Sequence, residues 1–209
     1  RQVNIFRALG AELPHFAHAP MILGADGERL SKRHGAVSVM QYADDGFLPE
    51  AMLNYLARLG WSHGDAELFP TQKFIDWFDL GHISRSPAQF NPEKLRWLNQ
   101  QYLKGADDGR LAHAVAPRIE RDGGTLAGGP PLERVVALLK ERAETLAQLA
   151  DEAMMFYANR EPSAELLKQY ITSEVKPALV ELATRLEGLG DWSADAINAE
   201  IQVVAKARG

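Results

Sequence analysis

Beyond residue 35 the apolar residues of this chain recur three or four apart, segment after segment, and no stretch alternates convincingly. A period near 3.6 gathers them on one stripe of a helix, whereas a half-buried strand needs a period of two, so the chain has to fold mainly as α. The strongest signal lies over 91–105. Asn91 stands as cap, Pro92 at the first helical position, Glu93 in the first turn and Gly105 just past Lys104, with Leu95, Leu98, Tyr102 and Leu103 on one face. Another helix starts at Pro49, carries Met52, Leu53, Leu56 and Leu59, and closes at Gly60; Trp61 behind it reads as a core anchor. Thr71 is a candidate cap for a short helix bearing Phe74, Ile75, Trp77 and Phe78.

Leu111, Val115 and Ile119 predict a helix that breaks near Asp122-Gly123-Gly124, and Gly128-Gly129-Pro130-Pro131 is the clearest boundary between elements. After it, Leu132, Val135, Val136, Leu139, Leu146 and Leu149 predict one long amphipathic helix running towards Tyr157. Ser163 and Ser193 are candidate caps for later helices, the last two spanning about 175–186 and 194–205.

The first 38 residues are organised differently. A short helix from Val3 to Leu9 stops at Gly10, and Met21-Ile22-Leu23 reads as a strand that enters the turn Gly24-Ala25-Asp26-Gly27. The turn delivers Glu28-Arg29-Leu30-Ser31-Lys32-Arg33-His34-Gly35 to a surface, after which a helix is expected over 37–43 and ends at Asp44-Asp45-Gly46. Arg29, Lys32 and Arg33 concentrate three cations within five residues beside the Ser31 hydroxyl. Such a run serves either as a solvated loop or as a polyanion clamp, because Lys and Arg make charge-assisted contacts to phosphate oxygens.

Composition narrows the class. With 46% hydrophobic and 24% charged residues among 209, this is a globular balance, and no apolar run is long enough to cross a bilayer. The absence of cysteine removes disulfides and thiolate metal sites and fits a reducing compartment. A net charge of -5 argues against a protein that coats nucleic acid nonspecifically, but leaves room for local cationic patches. One such patch is Lys94, Arg96 and Lys104, with Glu93 the only acid between Asn91 and Gly105. His15 and His18 lie three apart in a Pro-bounded loop with no adjacent carboxylate, so loop packing is the expectation there and no metal site is expected.

The order Arg29-Leu30-Ser31-Lys32-Arg33 resembles the lysine-methionine-serine-lysine-serine (KMSKS) loop of class I aminoacyl-tRNA synthetases, and Leu30-Ser31-Lys32-Arg33-His34-Gly35 resembles the version in glutamyl-tRNA synthetases. Ala8-Leu9-Gly10 and Phe16-Ala17-His18-Ala19-Pro20 before it are similar to that family in the same order. So are Leu59-Gly60-Trp61-Ser62-His63-Gly64-Asp65 and Leu95-Arg96-Trp97-Leu98-Asn99 after it. The resemblance implies three regions: 1–38 as the end of a class I catalytic domain with a short strand and KMSKS-type loop, 39–106 as a stem-contact helical domain, and 107–209 as an all-helical anticodon-binding domain. The helical tail resembles bacterial-type glutamyl enzymes, whereas glutaminyl relatives read anticodons with β-barrels.

By this resemblance the parent is a cytoplasmic, monomeric glutamate–tRNA ligase that uses ATP with Mg2+ to form glutamyl-adenylate and then charges tRNA(Glu). Lys32 is the catalytic cation within an ATP-binding loop of Arg29, Leu30, Ser31, Lys32 and Arg33. Arg29 replaces the family's first lysine with different geometry and is given no direct ATP contact. Arg85, Lys94, Arg96 and Arg142 are candidate tRNA contacts, Arg142 as an anticodon base reader. None of His15, His18, His34, His63, His82 and His113 stands in the family's histidine-isoleucine-glycine-histidine-like motif. The nucleotide-binding half and glutamate pocket are therefore expected upstream, further helix at the carboxy terminus, and these residues alone are expected to be inactive. Two other readings are a stand-alone helical RNA-binding or interaction module, and a non-discriminating or glutaminyl relative.

Overall fold

The computed structural model describes residues 1–31, 38–159 and 161–207. The chain forms two compact units, Arg1–Ala158 and Asn159–Gly209. In the first unit α1 (Gln2–Ala8) ends ahead of Gly10, and β1 (Ile22–Leu23) follows. Then come α2 (Val39–Asp44), α3 (Pro49–Gly60), α4 (Thr71–Trp77), β2 (Ala88–Gln89), α5 (Pro92–Gly105), α6 (Asp108–Arg121), α7 (Leu132–Leu139) and α8 (Leu146–Ala153). The mainly helical class expected from periodicity is what forms.

Local signals explain most helix ends. The Asn91 side chain accepts from the N–H groups of Glu93 and Lys94 with Pro92 behind it, and Asp107 caps α6 by accepting from the Arg110 N–H. Thr71 is not a cap: it is the first helical residue, Pro70 precedes it, and no side chain caps α4. One strand was not foreseen. β2 pairs with β1 in parallel, Ile22 opposite Ala88 and Leu23 opposite Gln89, and two residues are too few to show any alternation.

Two apolar cores share this unit. Met52, Tyr55, Leu59, Leu95 and Leu98 form the first, with Ile22, Tyr42, Phe47, Ala88 and Phe90 packed against it, so α3 and α5 back the small sheet. Leu48, Ala51 and Leu103 join Leu111, Val115, Ile119, Val136, Ala143, Leu149 and Met154 in the second. Facing both cores turns two of the leucines of α3 outward: Leu53 and Leu56 stay 49% and 39% exposed, while Leu48, Ala51, Met52, Tyr55 and Leu59 form the buried stripe. Trp61 is buried as expected, its ring packed edge-on to Phe69 and Phe74.

The long helix expected from Leu132 towards Tyr157 is broken into α7, α8 and a 3-10 turn, Met154–Phe156. The break has tertiary causes. Ala143 is fully buried, the Thr145 side chain accepts from the Gln148 N–H, and the Leu146 N–H donates to the Gly46 carbonyl at 2.8 Å. The Glu144 carbonyl takes its hydrogen bond from the Asn99 amide at 2.6 Å. In an unbroken helix the Leu146 N–H would have donated to the Arg142 carbonyl and the Glu144 carbonyl would have accepted from the Gln148 N–H. Gly46 sits at φ +89°, where a Cβ would lie 2.5 Å from the Ala147 nitrogen, so only glycine allows this approach.

Asn99 is fully buried and also accepts from the Leu48 N–H at 2.8 Å, joining α5 to the start of α3 and to the α7–α8 turn. Beside it Arg110 pairs with both oxygens of Glu50, at 2.6 and 3.0 Å. Burial by itself would raise the Glu50 carboxyl. The Arg110 hydrogen bond, the backbone and the Arg110 charge together outweigh it and hold the group below its ordinary 4.5.

In the second unit α9 (Ala164–Tyr170), α10 (Val175–Glu187) and α11 (Ala194–Lys206) form, with Ser163 and Ser193 capping α9 and α11 as expected. Arg185 of α10 holds Glu181 and, on α11, Glu200, each at 3.1 Å.

Asn99→Ala leaves the buried Leu48 N–H and the part-buried Glu144 carbonyl without their partner and should cost on the order of 2–4 kcal/mol, read as a lower urea midpoint, whereas Leu53→Ser should move stability by under about 0.5 kcal/mol. A cost for Asn99→Ala below about 1 kcal/mol would show that the amide is dispensable. Because the Glu50 pKa is lowered on folding, its pairing stabilises fully above the ordinary value of 4.5 and is lost as pH falls through the lower folded value. Wild type and Arg110→Met should differ in urea midpoint at neutral pH, with the gap closing as pH falls below 4.5 and through the lower folded value. A gap that does not change with pH would remove Glu50 as its source.

Candidate functional site

The basic segment singled out in the sequence leaves the sheet through a tight hairpin. The Gly24 N–H donates to the Glu28 carbonyl at 2.8 Å, the Leu30 N–H to the Ile22 carbonyl at 2.9 Å, and Arg29 bridges antiparallel to Leu23. Gly27 supplies the positive φ, +78°, that closes the turn. β1 is thus used on both edges, by β2 on one side and by the outgoing segment on the other. The expected strand and turn form, and of the segment's described residues Glu28, Arg29 and Ser31 are exposed.

A residue that sequence reasoning missed secures the turn. The Gln89 amide on β2 donates to the Ala25 carbonyl at 3.0 Å and to the Gly24 carbonyl at 3.3 Å. No short-range pattern marks Gln89, because its partners lie more than sixty residues earlier in the chain. A second missed device joins the quoted motifs to one another. A Cβ on Gly60 would lie 3.1 Å from the Pro20 ring, and the Ser84 N–H donates to the Gly60 carbonyl at 2.8 Å. The stretch ending in Pro20 therefore packs directly on the Leu59-Gly60-Trp61 corner.

Two shallow cavities flank that stretch. One of about 490 Å³ is lined by Ala19, Pro20, Met21, Ile22, Arg29 and Leu30. The other, about 590 Å³, shares Ala19, Pro20 and Met21 and is lined beyond them by Phe16, His18, Ser84 and Arg85, among others. The structure thus brings Arg29 and Leu30 to one side of a common wall and Arg85 to the other, both arginines exposed. Ser31 is exposed at the end of the described hairpin. Lys32 and Arg33 lie outside the described residues.

The remaining candidates are spread over other surfaces. Lys94 on α5 pairs with Glu67 at 2.7 Å, and this hydrogen bond and charge hold the Glu67 carboxyl below its usual range. Arg96 stands 3.7 Å from Glu144, and Arg142 is exposed on the turn between α7 and α8. Between Lys94 and the sheet, the Tyr55 hydroxyl accepts from the Asn91 N–H at 2.7 Å and donates to the Asn91 carbonyl. Burial, and after it the Glu50 charge, push the Tyr102 phenol up to about 12, so it keeps its one proton, which the Phe69 carbonyl at 2.7 Å and the Asn54 Oδ1 at 2.9 Å both stand within reach to accept. Among the described residues no group of three His, Cys, Asp or Glu side chains is placed to hold a metal ion, and no helix is long and apolar enough to cross a membrane.

A cationic hairpin beside a cavity suits phosphate, and exposed arginines on helix turns suit RNA. The comparisons with known proteins agree with that chemistry. The family model for the catalytic domain of class I tRNA synthetases (E and Q) matches residues 1–97, and the model for an anticodon binding domain matches 98–209. The glutamate–tRNA ligase of Thiobacillus denitrificans is 60% identical over 209 residues, covering 100% of this chain and 44% of that protein. The one from Nitrosospira multiformis is 59% identical, covering 100% and 45%. A crystal structure of a glutamate tRNA ligase from Elizabethkingia meningosepticum in complex with its amino acid superposes with a TM-score of 0.79 at 27% identity, over 99% of this chain and 45% of that one. The chain spans under half the length of the curated relatives it matches.

Proposed function

This chain belongs to the glutamate–tRNA ligase family of class I tRNA synthetases, and we propose that it supplies the ATP-phosphate loop, the stem-contact region and the anticodon-binding helices of an enzyme that joins glutamate to the 3' end of tRNA(Glu). The observation that carries the reading is the order of the two family matches along the chain, with the Arg29 hairpin lying inside the catalytic match. In this reading the division of labour follows residues 1–38, 39–106 and 107–209. The helical character of 98–207 among the described residues favours the glutamate branch over a glutaminyl one.

The chemistry has two displacements. A glutamate carboxylate oxygen attacks the α-phosphorus of ATP, which enters as its Mg2+ complex, and pyrophosphate leaves. A ribose hydroxyl of the terminal adenosine then attacks the acyl carbon of glutamyl-adenylate, AMP leaves, and the hydroxyl proton is released.

Negative charge gathers on the phosphate oxygens in the first step. A cation fixed where that charge grows stabilises the transition state more than the ground state and so raises kcat. Lys32 takes that place, with Ser31 and the backbone beside it holding phosphate oxygens. Leu30 and Arg33 belong to the same loop, and Arg29, facing the adjoining cavity, contributes charge without touching ATP. Rooting the loop in a strand bonded on both edges limits how far its start can wander, which is what preorganisation asks of a residue on a turn.

Arg85, Lys94 and Arg96 supply contacts to the tRNA backbone, and Arg142, exposed on its turn, reads an unstacked anticodon base. Lys94 is already paired, but an exposed ion pair is worth under about 1 kcal/mol, so a phosphate can replace Glu67 at small cost. The enzyme works in the cytoplasm as a monomer.

In the full-length enzyme carrying this chain, Lys32→Ala should lower glutamate-dependent ATP–pyrophosphate exchange by about 10²–10³-fold while leaving tRNA affinity within about twofold. An undiminished first step would remove Lys32 from the mechanism. Arg142→Ala should weaken binding of tRNA(Glu) by about tenfold in a filter-binding titration. Equal affinity would show that this turn does not touch the anticodon.

A further inference from the structure

Two cations from different helices converge on one carboxylate oxygen. Nζ of Lys94, in the first turn of α5, lies 2.7 Å from Oε1 of Glu67, and Nη2 of Arg58, in the last turn of α3, lies 3.9 Å from the same atom. Glu67 and Lys94 are exposed and Arg58 is half-buried, so the trio opens to solvent with positive charge in excess.

Local stability does not account for this arrangement. Lys94 is the third residue of α5, where the helix dipole favours an acid over a cation. An exposed ion pair there adds under about 1 kcal/mol. Yet the acid is held in place from behind. The buried Asn54 amide donates to the Glu67 carbonyl at 3.0 Å and accepts from the Phe69 N–H at 3.1 Å, which fixes the backbone that carries the carboxylate. Arg58 is left under-used by comparison. Its Nε is buried and makes no hydrogen bond among the described residues, and Glu67 stands beyond hydrogen-bond reach of Nη2. The guanidinium therefore keeps donor capacity that Glu67 does not fill.

We infer that Arg58 and Lys94 form a two-cation seat for the phosphodiester backbone of RNA, in which Glu67 stands in for the phosphate until tRNA arrives and displaces it. The inference rests on the tRNA contact assigned to Lys94 above, and adds Arg58 and Glu67 to it. A phosphodiester carries two unesterified oxygens, so it can bond to both cations at once, where the carboxylate bonds to Lys94 alone. A carboxylate left beside the bound phosphate repels it, so Glu67 holds down the affinity of RNA at this seat and favours release.

The test measures binding of tRNA(Glu) to the full-length enzyme carrying this chain, by filter titration over a range of salt. Glu67→Gln removes the competing charge at nearly constant shape and should tighten binding by about threefold or more. A carboxylate that merely braces the fold would give equal or weaker binding on the same change. A gain of affinity cannot come from a damaged fold, so this arm decides even if a cation variant folds poorly. Arg58→Met keeps the apolar stem and should weaken binding by about fivefold and lower the salt slope by about one. In an enzyme carrying both Arg58→Met and Lys94→Met, Glu67→Gln should bring no gain, which separates local displacement from a general change of net charge. The inference is overturned by no tightening in Glu67→Gln, by tightening that survives the loss of both cations, or by an Arg58→Met enzyme with unaltered affinity and salt slope. If Lys94→Met binds tRNA as wild type does, the contact assigned to Lys94 falls and takes the inference with it. Dependence on Lys94 with indifference to Arg58 and Glu67 removes the inference alone.

Discussion

One fully buried amide, that of Asn99, stands where three parts of the chain meet: α5, the strap that carries the backbone from α2 into α3, and the turn between α7 and α8. A neutral amide inside an apolar core is tolerated only with its hydrogen bonds made, and each of the two it makes is to backbone. That requirement fixes register more sharply than apolar packing does, because a slip of one residue would leave a donor and an acceptor unpaired. The Leu146 bond to Gly46 and the Arg118 bonds to Ala43 and Asp44 act on the same strap from neighbouring positions. The segment 43–48 is therefore joined to α5, α6 and the α7–α8 turn by polar contacts, not by contact area alone.

The sheet that roots the basic segment depends on the same arrangement. Two residues of parallel pairing cannot stand alone in water. Here the pair is backed by α3 and α5 through Ile22, Ala88 and Phe90, and its exposed turn is tied down by Gln89. What looks in outline like a minor sheet is a fixed mount, and its rigidity is borrowed from the helices beneath it.

On a chain of net charge -5 the surface charges follow a pattern that suits the local RNA contacts proposed above. Lys94 and Arg96 each stand beside a glutamate, at 2.7 and 3.7 Å. Such exposed pairs hold their long side chains near a defined place at little energetic gain. In the proposed role, exchanging a carboxylate for a phosphate oxygen would be close to neutral and would favour reversible, salt-sensitive contacts over tight nonspecific adhesion.

The class of the fold and its punctuation are written in short-range patterns of residues. Helical periodicity, the Asn91-Pro92 start, the Ser163 and Ser193 caps and the glycine turn before Arg29 are local signals, carried by side chains that act on their own backbone. The order Arg29-Leu30-Ser31-Lys32-Arg33 likewise pointed to phosphate chemistry without any structure. Long-range contacts set where helices stop when no local signal stops them, and which stripe faces in. α7 and α8 separate because Asn99 and Gly46 compete for the backbone groups a continuous helix would have used, and α3 turns Leu53 and Leu56 outward because it serves two cores. β2, Gln89 and Arg118 were hidden for the same reason: their partners lie more than sixty residues away, and hydrogen bonds across that distance exist only once the chain has folded.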